Sequence, residues 1–454
     1  MAYAERRGKG KEPWRARYKR PDGSWGSEPG FRTKKAAEEW GEDQEAAIRA
    51  GRWRDPDKAR TPLRDFVPIF MEAQKVAPST VIKRKRLLTR HLLPAFGDTA
   101  LCEINVFTAR AWGNKQACSP VTVGHALTLL SMILTAAADA EYLLANPMYG
   151  RRRQSADRAM HDTSQQQGAV QHDESDEEVW AHPEQAYRLY RRLGGVQGLM
   201  VLSDCYLGLR WGELAGLHRR MALIPKTEVL DGEPWERWCL RIDARVGALH
   251  EVEFELSPEE LLTWHRGEDA RLAACREKGW KANRRKEPKG QVRLYLGPPK
   301  NRTSARDVDL PPFLVELWRT HLAEWPHQYP FATPKNGEWW RRGNFGKGLR
   351  AAADGREAIP RKRGFAGRQR WEPILPGFTM RGARHTHDTW MKEDRVDRAL
   401  RFETMGWAVR GDIEGTYEHV TPSMRKHRLD ALEARWRRGI QLASRDGSEE
   451  SPRS

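Results

Sequence analysis

The sequence predicts a multidomain α+β chain: a small β-sheet backed by a helix, then an all-α unit, then a larger mixed α/β unit. Three observations predict it. At 454 residues the chain is too long for one ordinary core. Residues 151–178, RRRQSADRAMHDTSQQQGAVQHDESDEE, are almost free of large apolar side chains and switch from basic to acidic, which is the composition of a linker. The apolar pattern before that linker differs from the pattern after it: short strands and then helices come first, and periodic positions resume at Trp180 and run with interruptions to about Leu442. The expected boundaries are therefore 1–58 for the sheet unit, 59–150 for the helical unit, 151–178 for the linker, 179–442 for the large unit and 443–454 for a disordered tail.

The first twenty residues carry eight Lys or Arg against two Glu. WRARYK, a turn at Pro21-Asp22-Gly23 and SWGSEPGF read as short strands. Thr33 can cap the helix KKAAEEWGEDQEAAIRA, and Gly51 can stop it. Arg15, Arg17 and Lys19 interleave with aromatic side chains on the strands, so the sheet could enter a major groove or could simply pack and solvate. From Thr61-Pro62 the chain turns helical, with a cap followed by Pro at the first helical position. In the segment from Ser79, Val81, Leu88 and Leu92 share one face, while Lys83, Arg84, Lys85, Arg86 and Arg90 crowd the remainder. One side packs; the other suits phosphates. After Ser119-Pro120, apolar residues at Val123, Leu127, Leu130 and Leu134 mark a core helix.

Lys plus Arg number 79 against 62 Asp plus Glu, a net charge of +17 with a pI near 9.8. Such a balance suits a polyanionic partner, nucleic acid first. The N-terminus has no apolar secretory region and no uninterrupted apolar run reaches membrane-spanning length, so a cytoplasmic protein that stays inside the cell that makes it, with no membrane partner, is expected. Five scattered cysteines make neither a disulfide framework nor a structural zinc site. Nineteen tryptophans and 39% hydrophobic residues are enough to build real cores.

Four islands in the large unit carry chemistry. In Leu207-GLRWGELAG-Leu217, Arg210 and Glu213 stand three apart at a helix start and share a face. Pro299-Lys300-NRTSARDVD-Leu310 reads as a turn between strand-like segments, with Lys300 at a hairpin tip where an ammonium could give a proton to a departing alkoxide. Phe378-TMRGARHTHD-Thr389 gathers Arg381, Arg384, His385 and His387. Guanidinium forks match phosphate oxygens, so an anion site fits better than a metal. The last island, Met405-GWAVRGDIEGTYEHVT-Pro422, places Trp407 ten residues before Tyr417.

In order, these islands resemble the catalytic boxes of the tyrosine recombinase family of phage-type integrases: G-L-R-x-x-E-L, P-K-T-x-x-S-x-R, H-x-L-R-H-T, and L-G-H/W followed by Y-x-H-V. STVIKRKRLLTRHLLPAFG resembles the family's helical core-binding domain, and WRARYKRPDGS to GFRTKKAAEEW its arm-site sheet domain. The resemblance implies that residues 1–58 bind arm sites, that 59–150 bind the core site and that 179–442 form the catalytic domain. It implies that Tyr417 is the nucleophile, that Arg210 and Arg384 clamp the scissile phosphate, that Lys300 protonates the leaving 5′ oxygen and that Trp407 bonds the phosphate. Glu213 would orient the first arginine. Site-specific recombination of a mobile element or phage genome through a 3′-phosphotyrosyl bond is the activity implied, without metal, ATP or other cofactor. The implied partners are double-stranded attachment-site DNA, three further copies in a synaptic tetramer, and accessory DNA-bending or directionality proteins.

Two features depart from the pattern. Arg381 stands where the third box has His, and arginine cannot take a proton at neutral pH. Tyr417 would then lose its proton to water or His385, or be activated by surrounding positive charge, with Arg381 adding charge at the phosphate. The stretch from Met221 to Arg293 is longer than the family places there, and its composition names no role. After Tyr417, Leu429, Leu432, Trp436 and Ile440 form an apolar stripe that could dock on its own domain or on a neighbouring protomer. A catalytically inactive DNA-binding regulator is the alternative, resting on Arg381. A monomeric type IB topoisomerase-like enzyme fits less well with an arm-like first domain.

Overall fold

A computed structural model describes residues 2–8, 10–148, 179–254, 256–288, 290–361, 367–408 and 419–445. The chain divides into two compact units, 1–170 and 171–454. The expected linker 151–178 lies outside the described residues, as does 446–454. Of the expected disordered tail, however, residues 443–445 form the last turn of a helix, and Ala443 is buried.

The first unit opens with an antiparallel meander, β1 (Tyr3–Arg6), β2 (Trp14–Lys19) and β3 (Trp25–Phe31). Period-two alternation turns Ala16 and Tyr18 inward, where they are buried beneath α1 (Lys34–Arg49). Thr33 caps α1 by accepting the Ala36 amide, as its sequence position suggested. Tyr18 meets the edge of Trp40 at 5.6 Å between ring centroids. Arg15, Arg17 and Lys19 therefore share the outer face, with Tyr3 and Trp25 beside them, both largely exposed. Arg17 is partly engaged there, 3.2 Å from Glu5.

Helices α2 (Pro56–Ala59), α3 (Leu63–Glu72), α4 (Pro78–Leu87), α5 (Leu93–Phe96), α6 (Val106–Asn114) and α7 (Pro120–Asp139) follow. Pro62 is the cap of α3 rather than its first helical residue, and no side chain closes that end. A π-helical turn, Leu88–Leu92, joins α4 to α5 and turns Leu88 and Leu92 into the core with Phe66, Phe70 and Leu130. Lys83, Lys85, Arg86 and Arg90 are exposed. Arg84 is the exception within this basic group. Its guanidinium lies over the Phe70 ring at 5.7 Å and donates to Gln74, so it also takes part in packing. Helix α7 is long and apolar enough to cross a membrane by length and composition, but Leu129, Leu130, Ile133 and Leu134 face the unit's own core.

In the second unit, α8 (Pro183–Leu193) and α9 (Gly195–Leu207) lead to the short α10 (Trp211–Ala215). Apolar nearly all round, α9 is buried throughout most of its length. Strands β4 (Ile224–Leu230), β5 (Glu233–Ile242) and β8 (Arg306–Asp309) form one antiparallel sheet with β5 central; β6 (Ala248–Phe254) and β7 (Gln291–Gly297) form a separate pair. Helix α11 (Pro258–Glu277) is inserted between β6 and β7. Next come α12 (Pro312–Glu324), α13 (Arg342–Asp354), α14 (Met380–Glu393), α15 (Arg398–Met405) and α16 (Pro422–Arg445).

Helix α16 docks on its own unit. Leu429 and Leu432 are buried, and Trp436 stacks on Phe313 at 4.4 Å with an interplanar angle of 8°. Arg435 binds Asp394 at 2.7 Å and Glu393 at 2.8 Å. Of the two docking modes open for the apolar stripe, these contacts are those of docking in cis.

Candidate active site

Helix α9 ends at Gly208 in the left-handed region, with φ 62° and ψ 36°. A side chain there would be doubly excluded, because a Cβ would come within 2.7 Å of His387 Cδ2 and 2.8 Å of Met405 Sδ. The turn redirects the chain so that Arg210, in extended backbone, caps α10. Glu213 returns the capping bond, accepting the Arg210 amide at 3.1 Å.

Glu213 is almost wholly buried and lies between two guanidiniums. Arg210 donates to its Oε1 at 2.7 Å, and Arg306 donates to its Oε2 at 3.0 Å. Arg210 also donates to Ser304 Oγ at 2.8 Å and to the Gly406 carbonyl at 3.1 Å. Arg306 is held by the carbonyls of Thr404 and Ser304, both at 2.7 Å.

Arg384 arrives from α14, whose start Thr379 caps through the Gly382 amide. Its guanidinium donates to the Gly208 and Met405 carbonyls. Gly406 ends α15 in a second left-handed turn, φ 59° and ψ 44°, which leaves the nearby carbonyls open to side-chain donors. Two glycine turns, one after α9 and one after α15, thus collect Arg210 and Arg384 at one place. The geometry leaves N–H groups on both guanidiniums uncommitted among the described residues.

The electrostatics follow from burial. For Glu213, burial favours the neutral acid, but Arg306 and Arg210 outweigh it and hold the carboxyl below its usual range. Burial lowers Arg306, with Glu213 only partly offsetting it. Burial, reinforced by repulsion from Arg210, brings Arg384 down to about 10. Asp204 on α9 is fully buried nearby, and burial pushes its carboxyl well above the usual range, which favours the neutral acid. Three cations then face one firm anion. A site of this balance attracts an anion.

The other expected residues are less tightly drawn together. Arg381 is exposed on the first turn of α14, one turn before Arg384, and His385 is half-buried beside it. His387 is fully buried, with Nδ1 at 3.2 Å from the Cys205 carbonyl; burial first, and then Arg428, pulls its pKa well below the ordinary imidazole value. Trp407 follows Gly406, half-buried against the edge of Phe402 at 5.5 Å. Tyr417 lies outside the described residues. On either side of that segment, Trp407 and Val420 pack against one apolar cluster of Met391, Val396, Leu400 and Met405.

Lys300 is exposed in the connection between β7 and β8. The expected hairpin is not formed by these two strands: β7 pairs with β6 and β8 with β5, so Lys300 sits where the chain passes from one sheet to the other. Strand-like composition showed both strands but not their partners, since pairing is set by contacts distant in sequence. Arg306 and Ser304, inside the same island, received no role from the sequence, although Arg306 proves as central as Arg210. Asp204 was missed altogether. Its signal was a lone carboxylate in the apolar run LMVLSDCYLGL.

No protein-family model matches the chain. Among curated proteins it is 25% identical over 246 residues to "Putative prophage phiRv2 integrase" in two strains of Mycobacterium tuberculosis, a match that takes in 51% of this chain and 61% of that protein. The chain thus matches less than two thirds of those relatives' length. Among solved structures, the Tn1549 transposon integrase in complex with transposon right end DNA is 14% identical, with a TM-score of 0.49 over 82% of this chain and 100% of that one. A lambda integrase tetramer bound to a Holliday junction is 12% identical, with a TM-score of 0.41 over 92% of this chain and 98% of that one. The chain is similar in sequence to a putative prophage integrase, in line with the resemblance of its four boxes to those of phage-type integrases.

Proposed function

We propose that the chain is a site-specific DNA recombinase that cleaves and rejoins strands through a phosphotyrosyl bond at Tyr417. The observation that carries this reading is the meeting of Arg210 and Arg384, from the first and third boxes, around the buried carboxylate of Glu213. In this reading the uncommitted N–H groups of both guanidiniums take the non-bridging oxygens of the scissile phosphate. The Tyr417 hydroxyl gives up its proton to water or His385 as its oxygen attacks phosphorus, the bond to the 5′ oxygen breaks, and Lys300 supplies that oxygen with a proton. The 3′-phosphotyrosyl bond keeps the energy of the cleaved bond, so a 5′-hydroxyl from another strand can reverse the step without ATP. Negative charge grows on the phosphorane, and cations fixed in place before the reaction stabilise it without reorganisation.

Trp407 would bond the phosphate through its indole N–H, and Arg381 would add positive charge at the rim. The outer sheet face with Arg15, Arg17 and Lys19 is a surface for arm-site DNA, and Lys83, Lys85, Arg86 and Arg90 one for the core site; Arg84 belongs to packing first. Residues 1–58 are thus the arm-binding domain, 59–150 the core-binding domain and 179–442 the catalytic domain. Double-stranded attachment sites are the substrate, four copies act at synapsis with accessory bending or directionality proteins, and the enzyme works in the bacterial cytoplasm with no cofactor.

The test is trapping on a nicked suicide duplex carrying the attachment site. Wild type is expected to leave a protease-sensitive covalent complex on a denaturing gel, and Tyr417→Phe none. Specific binding with no covalent species across a broad pH range would overturn the reading in favour of a regulator that binds without cutting.

A further inference from the structure

The long stretch after the first box builds a defined object. Helix α11 leaves the β6–β7 pair, and the chain returns along it through residues 278–288. This return loop is held to the helix chiefly by a carboxylate. Glu268, buried on α11, accepts from Arg271 Nε at 2.9 Å and from the Arg285 amide at 2.8 Å. Arg271 donates onward to the Asn283 carbonyl at 2.8 Å, and Arg284 pairs with Asp269. The Arg271 bond, followed by the Arg285 amide, brings the Glu268 carboxyl down to about 2.

The loop so fixed, together with the last turn of α11, displays mostly basic charge, with Glu277 the one acidic side chain between Arg276 and Lys286. Arg276, Lys278, Lys281, Arg285 and Lys286 are all exposed, and Trp280 is 63% exposed with the Lys278 ammonium 5.3 Å from its ring. Arg276, Lys281 and Lys286 make no ion pair among the described residues. A basic run is ordinarily a solvated face. Here, though, the backbone is fixed in advance, so a partner pays less to order it. Several unpaired cations along one ordered loop match a row of phosphates better than any single small anion.

We propose that residues 276–286 form a further contact for the phosphate backbone of duplex DNA, apart from the guanidinium site and from the basic strand and helix surfaces of the first unit. The identity of the polyanion rests on the recombinase reading; the loop's affinity for backbone phosphates can be tested without it. Lys281, Arg285 and Lys286 are replaced together by Gln in the full chain. Affinity for a linear random-sequence duplex is then measured across a salt series. Each neutralised phosphate contributes about 0.9 to the slope of log affinity against log salt, so the slope is expected to flatten by about 2.7. Thermal unfolding should be unchanged, since all three side chains are exposed.

An unchanged slope overturns the proposal, including the case in which the loop serves an acidic protein surface instead. Suicide-duplex trapping of wild type, run in parallel, separates the two readings. A flattened slope with no wild-type covalent complex upholds the loop and defeats the recombinase; a covalent complex with an unchanged slope does the reverse.

Discussion

Replacing Glu213 by Ala tests whether one buried carboxylate organises the site. In wild type, the carboxylate compensates Arg210 on one oxygen and Arg306 on the other, and only about 1% of its surface reaches solvent. Its removal leaves Arg306, itself buried, with backbone carbonyls alone. Breaking a buried pair from one side costs about 3–5 kcal/mol, because the remaining charge stays desolvated. At roughly 2–4 °C per kcal/mol for a domain of a few hundred residues, the melting midpoint should fall by about 6–20 °C. Circular dichroism on the full chain reads this directly. The sign of the pH dependence provides a second check. Because the folded carboxyl is held below its usual range, its stabilisation is present above the unfolded value of about 4.3 and is lost as pH falls through the lower folded value. The gap between wild type and variant should therefore narrow below about pH 4. Wild-type stability in the variant at pH 7 would refute the reasoning, since Arg306 would then need no carboxylate.

Other expectations follow from a buried histidine and a packed tryptophan. His387 is neutral in the fold, so the unfolded chain binds a proton that the folded chain refuses, and stability should fall as pH drops below about 6.5, by up to about 1.4 kcal/mol per pH unit. His387→Phe should flatten that limb in denaturation measured between pH 7 and 5; superimposable profiles would show that His387 takes up its proton within the fold. Trp436→Ala removes the stack on Phe313 and the contacts with Tyr187 and Tyr206, costing about 3 kcal/mol. Wild type should melt at a midpoint independent of protein concentration, and a concentration-dependent midpoint would mean that α16 exchanges between copies.

How much of this was legible depended on whether the determining contact was local. Thr33 as a cap and the Arg210–Glu213 pair are three-residue relations, and the sequence shows them. The sites where Arg384 is anchored are not local. Its acceptors are backbone carbonyls, which every residue carries, and what distinguishes them is that Gly208 and Gly406 turn them outward. Lys300 failed as a hairpin tip for a similar reason, because strand pairing across the inserted α11 is decided far from the residues that form the strands. Arg84 has a packing contact that local sequence did not show. Sequence counted its charge, whereas its long stem and flat head found the Phe70 ring.

The departure at Arg381 can be weighed against the charges around it. Where the third box would offer an imidazole, an exposed guanidinium stands one turn from Arg384, and it cannot remove a proton from tyrosine. His387 is no substitute. It is fully buried, and its Nδ1 faces the Cys205 carbonyl, so that nitrogen carries the proton and serves the backbone. His385 retains some exposure and directly follows Arg384 in the chain. Positive charge does part of a base's work by a different route. Arg210, Arg306 and Arg384 already exceed the negative charge of Glu213, and burial inclines Asp204 to its neutral form. A phenol brought against that surplus has its anion stabilised, so it needs a weaker acceptor for its proton. Exchanging an imidazole for Arg381 trades proton affinity for field, a trade that suits the proposed reaction, whose phosphorane is itself an anion.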